Sequence, residues 1–374
     1  MPLDDGALAS VVDEVVAPNA TSVDQQGTFP RQAVTELGKA GILGLLSSAE
    51  VGGPGGDLRS ASRVVERLAG ACGSTAMVVM MHYAATSVIE AHGPEGVRRE
   101  IAAGRHLTTL AFSEEGSRSH FWVPMGTAVA DGADVRLDGR KSWVTSAGQA
   151  DSYVWSSRPL GPQGPMTLWL VPSATDGLQP PGAFDGLGLR GNGSSPVAGE
   201  GVVVPAAAML GADGGGLDVA LGVVLPVFLV LSASFSVGLM EAVVAEAASH
   251  LGSARLEHLG QRLIEVPAAR ADLGRMRVRT DMVRALLDDT LATLEGGRAD
   301  AALRVLEVKA AAAEASIEVT DLAMKVCGGA AFRKELGIER RFRDARAARV
   351  MAPTSDVLVD FVGRAISGLP LLEG

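Results

Sequence analysis

Cysteine is scarce in this chain. Cys72 and Cys327 are the only two among 374 residues, and they lie far apart, outside any CxxC or Cys/His spacing. The sequence therefore indicates neither a disulfide framework nor a zinc site, and we expect no metal. Two thiols without such a pattern fit a reducing compartment, so we predict a cytoplasmic protein.

Basic residues are in the minority as well. There are 33 Lys and Arg against 43 Asp and Glu, which gives a net charge of −10. No overall field therefore favours phosphate backbones or anionic lipid, and we expect no nucleic-acid partner. Residues 1–5 also lack the basic charge and apolar run of a secretory signal, which again favours the cytoplasm.

Charge is absent from one long segment, residues 219–240. About 20 apolar residues suffice to cross a bilayer. However, Pro226 and three serines interrupt this segment, and no Lys or Arg flanks it as an anchor. We interpret it as a buried helix within a bundle and expect no membrane association.

The pattern of apolar and charged residues changes twice along the chain. Residues 7–109 carry apolar side chains at helical spacing, and helical spacing returns after residue 217. Between them apolar and charged residues alternate, and all four tryptophans fall in this middle part, as expected for strands. We predict an α+β, mainly α protein with an N-terminal helical bundle (1–109), a middle β-barrel or sandwich domain (110–216) and a C-terminal helical bundle (217–374).

Three local patterns give finer predictions. Asp138-Gly139 is typical of a hairpin turn, placed here just before Trp143. On the helix predicted around residues 303–324, four charges lie off the apolar stripe, so we interpret them as a solvated face: Glu307, Lys309, Glu314 and Glu318. The run of arginines between residues 333 and 349 alternates with acids, which favours a salt-bridged helix or interface.

Several motifs share the residues and spacing of one known family. Gly328-Gly329 is followed by Glu339-Arg340 and Arg343-Asp344, and the stretch 138–145 reads Asp-Gly-Arg-Lys-Ser-Trp-Val-Thr. Together with the loop 112–119, these motifs resemble those of the acyl-CoA dehydrogenase flavoproteins along nearly the whole chain. The resemblance implies an FAD-dependent oxidoreductase with that family's fold, including a C-terminal four-helix bundle, that acts on an acyl thioester or a related small metabolite.

The resemblance also implies a set of cofactor contacts. Gly328-Gly329 would approach the cofactor of a neighbouring subunit, so a homodimer or homotetramer is expected, or a heteromeric assembly. The family's pyrophosphate-binding arginine is displaced by one position to Arg255. The implied FAD contacts are Phe112, Ser113, Ser119, Trp143, Thr145, Arg255, Gly328, Gly329, Thr354 and Asp356.

The family's catalytic base is replaced. By resemblance it stands at residue 352 or, in a minority of members, at residue 228, and this chain has Ala352 and Phe228 there. Neither side chain can accept a proton. The nearby groups that could replace it are Asp356, Glu114 and His120.

Three functions are compatible with this pattern. The first is a dehydrogenase whose base has moved. The second is a flavin-dependent monooxygenase, which needs no such base and for which the aromatic stretch 119–122 would suit the substrate. The third is a non-catalytic partner subunit of a heteromeric acyl-CoA dehydrogenase.

Overall fold

The computed structural model describes residues 3–118, 120–179, 182 and 184–372. Helices come first along the chain, strands follow, and helices return. This order confirms the predicted α+β, mainly α fold.

The N-terminal part is helical. Asp4 caps the first helix by accepting a hydrogen bond from the Ala7 amide at 2.9 Å, and a short π-helical segment (Val12–Val16) joins the first two helices. The long fifth helix is apolar around most of its surface and is buried. The helices are α1 (Asp5–Val11), α2 (Ala17–Gln26), α3 (Arg31–Lys39), α4 (Leu58–Ala71), α5 (Gly73–His92) and α6 (Glu95–Ala102).

The middle part forms two sheets. One has the order β1-β4-β5, with β1 parallel to β4, and the other is antiparallel with the order β2-β3-β7-β6. The buried rings of Trp155 and Trp169 lie on paired positions of β4 and β5. The strands are β1 (Thr108–Ala111), β2 (Thr127–Asp131), β3 (Asp134–Val144), β4 (Ser152–Ser157), β5 (Thr167–Pro172), β6 (Leu178–Gln179) and β7 (Ser195–Pro205).

The hairpin turn predicted at Asp138-Gly139 is wrong. These residues lie inside β3, at a register shift against β7, and the turn joins β2 to β3 around Gly132 instead. Two long-range contacts explain the difference. The Asp138 carboxylate accepts the Gly201 amide at 2.7 Å, and a Cβ at Gly139 would lie 3.2 Å from the Trp155 ring. A side chain at position 139 would have to displace this ring slightly, so close packing rather than a turn favours glycine here.

The C-terminal part returns to helices. The helix α10 packs against α9, α12 and α13, and it buries side chains on more than one face. The elements are α7 (Gly216–Val219), α8 (Leu225–Ser253), the hairpin of β8 (Arg255–Leu256) and β9 (Gln261–Arg262), α9 (Pro267–Gly296), α10 (Ala301–Cys327), α11 (Gly329–Phe332), α12 (Ile338–Val350) and α13 (Ser355–Ile366).

The uncharged segment belongs to a long helix. Among the described residues, Gly216–Ser253 is the one helix long and apolar enough to cross a membrane, and 83% of its apolar window is buried inside the protein. This burial agrees with the interpretation of a core helix.

Charged residues of the C-terminal part follow the predictions with one exception. The arginine run is salt-bridged as predicted, for example Arg343 to Glu339 at 2.8 Å and Arg341 to Glu246 at 2.6 Å. The solvated face predicted on α10 is wrong for Lys309, which is completely buried. Its ammonium reaches backbone carbonyls between α12 and α13, a partner that helical periodicity does not reveal.

By packing, the described residues form two compact units. The first contains most of the chain up to Phe228, including the two sheets. The second contains Val65–Gly73, Leu187–Leu189 and the described part of Leu229–Gly374.

Candidate functional site

Trp143 is the most unusual residue of the first unit. It stands at the end of β3, where the register against β7 shifts, and its φ is +56°. A bulky residue in this left-handed region is strained and persists only where the surroundings enforce it. Its indole is nevertheless 72% exposed and has one edge-on ring contact, with Phe184 at 6.4 Å. The backbone therefore presents a large flat aromatic surface outward.

Hydroxyl groups lie two residues further on. Thr145 is buried, and its Oγ1 lies 3.2 Å from the Oγ of Ser194. The next residue, Ser146, also has a positive φ of +59°, and its amide donates to the Asn192 carbonyl at 2.9 Å. The Trp-Val-Thr end of β3 is thus held by the segment that precedes β7.

The loop after β1 lies beside the same strand. The Ser113 carbonyl accepts the Ser142 amide at 2.9 Å, and the buried ring of Phe112 stacks on Phe121 at 6.4 Å. His120 is exposed, and its ring contacts Trp122 edge-on at 5.0 Å. Ser119, the remaining contact predicted in this loop, lies outside the described residues.

A buried ion pair joins this loop to β3. Glu114 and Lys141 bond directly, and their side chains are 2% and 0% exposed. The second carboxylate oxygen of Glu114 accepts the amides of Met125 and Gly126, and Lys141 also donates to the Ser156 carbonyl at 2.6 Å. Burial lowers the pKa of Lys141 to about 8, although Glu114 opposes the shift. Both oxygens of Glu114 are thus engaged by the fold.

The sequence alone does not indicate that Glu114 and Lys141 form an ion pair. The two residues are 27 positions apart, and each belongs to a different motif, Glu114 as a candidate replacement base and Lys141 as part of the stretch before Trp143. The available signal is the coincidence of an acid and a base within two motifs of one predicted domain.

Candidate contacts of the second unit lie on loops and helix ends. Gly328 has φ +56° and ψ −135°, a conformation that essentially only glycine adopts. Both Gly328 and Gly329 are exposed, and a Cβ at either position would point into open space. Arg255 is exposed on β8, directly opposite Arg262 of β9. Two guanidinium groups therefore lie on one face of this short hairpin.

Position 352 lies in the connection between α12 and α13. Ala352 is half-buried, and the Lys309 ammonium donates to the carbonyls of its two neighbours, Met351 at 2.9 Å and Pro353 at 2.6 Å. Thr354 caps α13, and its hydroxyl lies 3.5 Å from the Val357 amide.

Asp356 and position 228 are the remaining positions at which a base was considered. Asp356 is exposed in the first turn of α13. The pKa of Arg349 is raised chiefly by its hydrogen bond to Glu314, and the charge of Asp356 adds to that effect. Phe228 is buried on α8. Within the described ranges, no cluster of three His, Cys, Asp or Glu side chains could hold a metal ion.

Comparison with known proteins covers each part of the chain. Family models match at residues 6–104 (acyl-CoA dehydrogenase, N-terminal domain), 109–202 (middle domain) and 214–367 (C-terminal domain). The chain belongs to the acyl-CoA dehydrogenase family. Members of this family are flavoprotein oxidoreductases. The chain therefore belongs to this class of enzymes, as the motifs predicted.

Individual relatives agree with this membership. A probable acyl-CoA dehydrogenase of Bacillus subtilis is 27% identical over 354 residues, which cover 91% of each chain. Butyryl-CoA dehydrogenase from Megasphaera elsdenii has the same fold, with a TM-score of 0.91 at 22% identity over 97% of this chain and 96% of that one. A prolyl acyl carrier protein oxidase shares the fold too, with a TM-score of 0.88 at 20% identity and coverage of 96% and 98%.

Proposed function

We propose that this acyl-CoA dehydrogenase-family protein binds FAD and oxidises an acyl thioester, carried either by coenzyme A or by an acyl carrier protein. The single observation that carries the proposal is Trp143. Its strained backbone turns a largely exposed indole outward beside the buried hydroxyls of Thr145 and Ser194. A planar apolar indole next to hydroxyl donors can bind a flat heteroaromatic ring that has a polar edge.

The donor set is compatible with FAD. In the first unit we assign Phe112, Ser113, Trp143 and Thr145 to the flavin ring, with Ser119 retained from the motif alone. The bound FAD would supply a two-electron acceptor. The chain's own residues would hold the ring in place and exclude water from one of its faces.

In the second unit, five residues remain candidate cofactor contacts by resemblance: Arg255, Gly328, Gly329, Thr354 and Asp356. Their exposure or helix-cap position leaves polar groups available to a ligand. Gly328 supports this assignment because its backbone conformation excludes a side chain where a close approach would be needed.

Proton removal has no assigned residue. Ala352 and Phe228, which stand at the family's base positions, cannot accept a proton, and a positioned base is worth about 10² to 10⁴ in rate. Glu114 has both oxygens bonded within the fold, whereas Asp356 and His120 are exposed. Asp356 and His120 therefore remain the better candidates, and we expect slow desaturation of simple acyl thioesters.

Ala352→Glu tests this view of the base. If position 352 retains the family's geometry, a carboxylate there should raise anaerobic reduction of the flavin by an acyl thioester at least about tenfold. Ala352→Gln is the matched control, because it adds similar volume without a base. Equal rates in the two variants would contradict the assignment of position 352.

A second candidate function is a flavin-dependent monooxygenase. It is favoured by the aromatic cluster in which Phe121 contacts Trp122 edge-on at 5.2 Å and Trp122 contacts His120. Oxygen dependence distinguishes the two functions, since a dehydrogenase reduces its flavin with the thioester alone. A chain that binds no FAD by itself would instead be a partner subunit.

We also propose that the chain assembles as a homodimer or homotetramer in the cytoplasm. Large apolar side chains of the second unit are exposed, with Phe332 at 82%, Val278 at 59% and Met282 at 56%. Val278 and Met282 are four residues apart on α9 and therefore share one face of the helix, and a contiguous exposed apolar face favours coverage by another chain. Light scattering of the purified protein measures the assembly directly, and a monomer at micromolar concentration would contradict it.

A further inference from the structure

Lys309 is a buried cation that has no counter-ion among the residues the structure describes. It lies on α10 and is 0% exposed, and burial is the only cause that shifts its pKa, which falls to about 7. Within the described part of the chain, its Nζ bonds to two atoms, the carbonyl oxygens of Met351 and Pro353. Burying an ammonium without a counter-ion costs free energy, and its hydrogen bonds to these two carbonyls offset only part of that cost.

The charged groups on the neighbouring helices interact with groups other than Lys309. None of them contributes to the shift of Lys309, although they lie on α10 itself and on the helices packed against it. Asp356 and the Asp360–Arg364 pair belong to α13. Ion pairs on α9, α10 and α12 include Arg279–Glu318, Arg304–Glu307, Lys325–Asp272, Arg341–Glu246, Arg343–Glu339, Arg346–Asp321 and Arg349–Glu314.

The positions of the two carbonyls show which part of the backbone Lys309 binds. They stand immediately before and after Ala352, in a connection that leads within one residue to the Thr354 cap of α13. An apolar side chain of similar length would fill the same volume, but it would leave both carbonyls without this donor. One side chain therefore fixes the end of α12 relative to the start of α13.

We propose that Lys309 is a positioning residue, whose ammonium clamps the carbonyls on both sides of position 352 and thereby fixes that side chain and the first turn of α13. The consequence for the cofactor rests on the proposed function, which assigns Thr354 and Asp356 to FAD. Charge-assisted hydrogen bonds are about twice as strong as neutral ones. The clamp is therefore strongest while Lys309 is protonated and weakens as the pH rises through about 7.

The clamp itself is tested without reference to activity. Hydrogen–deuterium exchange is measured on the full-length parent chain, on Lys309→Met and on Lys325→Met, a control on the same helix whose side chain is 67% exposed. Residues 351–358 have exchangeable amides except at Pro353, which carries no N–H. We expect Lys309→Met to raise exchange of these amides at least about tenfold, the factor that corresponds to one charge-assisted hydrogen bond. Lys325→Met should leave those amides unchanged. Equal protection in all three proteins would overturn the clamp.

The functional consequence is tested with FAD as the probe. Between pH 6 and 9, the Kd for FAD of the parent should increase as Lys309 loses its proton. Lys309→Met should bind FAD at least about tenfold more weakly with a flat pH profile, and Lys309→Arg, which stays charged, should restore affinity in part. Unchanged FAD affinity in Lys309→Met would overturn the positioning role and reduce Lys309 to a structural residue.

The two failures remain distinguishable. If the parent binds no FAD, the proposed function is wrong, while the exchange experiment still decides whether Lys309 holds the turn. If Lys309→Met does not fold, Lys309→Gln replaces it, because it keeps a neutral N–H donor on a side chain that is one bond shorter. Its exchange at residues 351–358 should be faster than that of the parent and of Lys325→Met. Exchange in Lys309→Gln that equals the parent's would count against the clamp.

Discussion

The buried Glu114–Lys141 pair allows a sharp test of the β-domain. Lys141→Met keeps most of the side-chain volume but leaves the Glu114 carboxylate buried without its cation. Removing one partner of a buried pair typically costs about 3–5 kcal/mol, because an uncompensated charge remains in a medium of low dielectric. Two amides still solvate Glu114, which places our expectation at the lower end, about 3 kcal/mol.

The double variant identifies the cause of this loss. In Glu114→Gln/Lys141→Met the buried charge is gone, so the unfolding free energy should be about 1–3 kcal/mol higher than in Lys141→Met alone. Lys39→Met is the matched control, because the Lys39–Glu36 pair is exposed (67% and 35%) and should contribute less than about 0.5 kcal/mol.

Thermal unfolding of the flavin-free proteins measures these differences. About 1 kcal/mol shifts the midpoint by roughly 2–4 °C for a domain of 150–250 residues, so Lys141→Met should unfold about 6–12 °C earlier than the parent. Lys39→Met should be within about 2 °C of it. A Lys141→Met midpoint equal to that of Lys39→Met, or a double variant less stable than Lys141→Met, would refute the reasoning.

Three further predictions concern single residues. Trp143→Gly should relieve the positive φ and leave the flavin-free protein equally stable or about 1 kcal/mol more stable, while its FAD affinity falls at least about tenfold; a large loss of stability in the melting curve would contradict this. Gly328→Ala should cost about 1–3 kcal/mol by thermal unfolding because of its φ of +56° and ψ of −135°, whereas Gly329→Ala, which has open space, should cost less than about 1 kcal/mol. The pKa of Lys309 is lowered from 10.5 to about 7, so the folded state loses its proton first and the parent should gain stability relative to Lys309→Met as pH rises from 7 towards 10, by at most about 1.36 kcal/mol per pH unit; parallel midpoint curves would exclude this shift.

Much of the fold could be predicted from the sequence, because its signals are local. The strands β4 (Ser152–Ser157) and β5 (Thr167–Pro172) lie in the middle part, where the alternation and the tryptophans predicted strands. Alternation of apolar residues and helical spacing are repeated over many positions, so single exceptions do not change the assignment. The motifs, in addition, identified the family.

The wrong predictions concern residues whose local structure is determined by contacts with residues distant in the sequence. Asp-Gly favours a turn locally, but Trp155 and Gly201 hold this dipeptide inside β3. A lysine off the apolar stripe of a helix is normally solvated, but the carbonyls that bind Lys309 come from residues 42 and 44 positions later. No periodicity within α10 contains that information. The strained backbone at Trp143 could not be predicted from the sequence either, since nothing in the residue type requires a positive φ.

The most direct measurement is the visible absorption spectrum of the purified chain, followed by anaerobic titration with acyl thioesters of coenzyme A and of an acyl carrier protein. We predict about one FAD per chain and bleaching of the flavin band by at least one thioester without oxygen. A protein that contains no FAD and does not bind added FAD would contradict the central claim, as would a flavin that no thioester reduces.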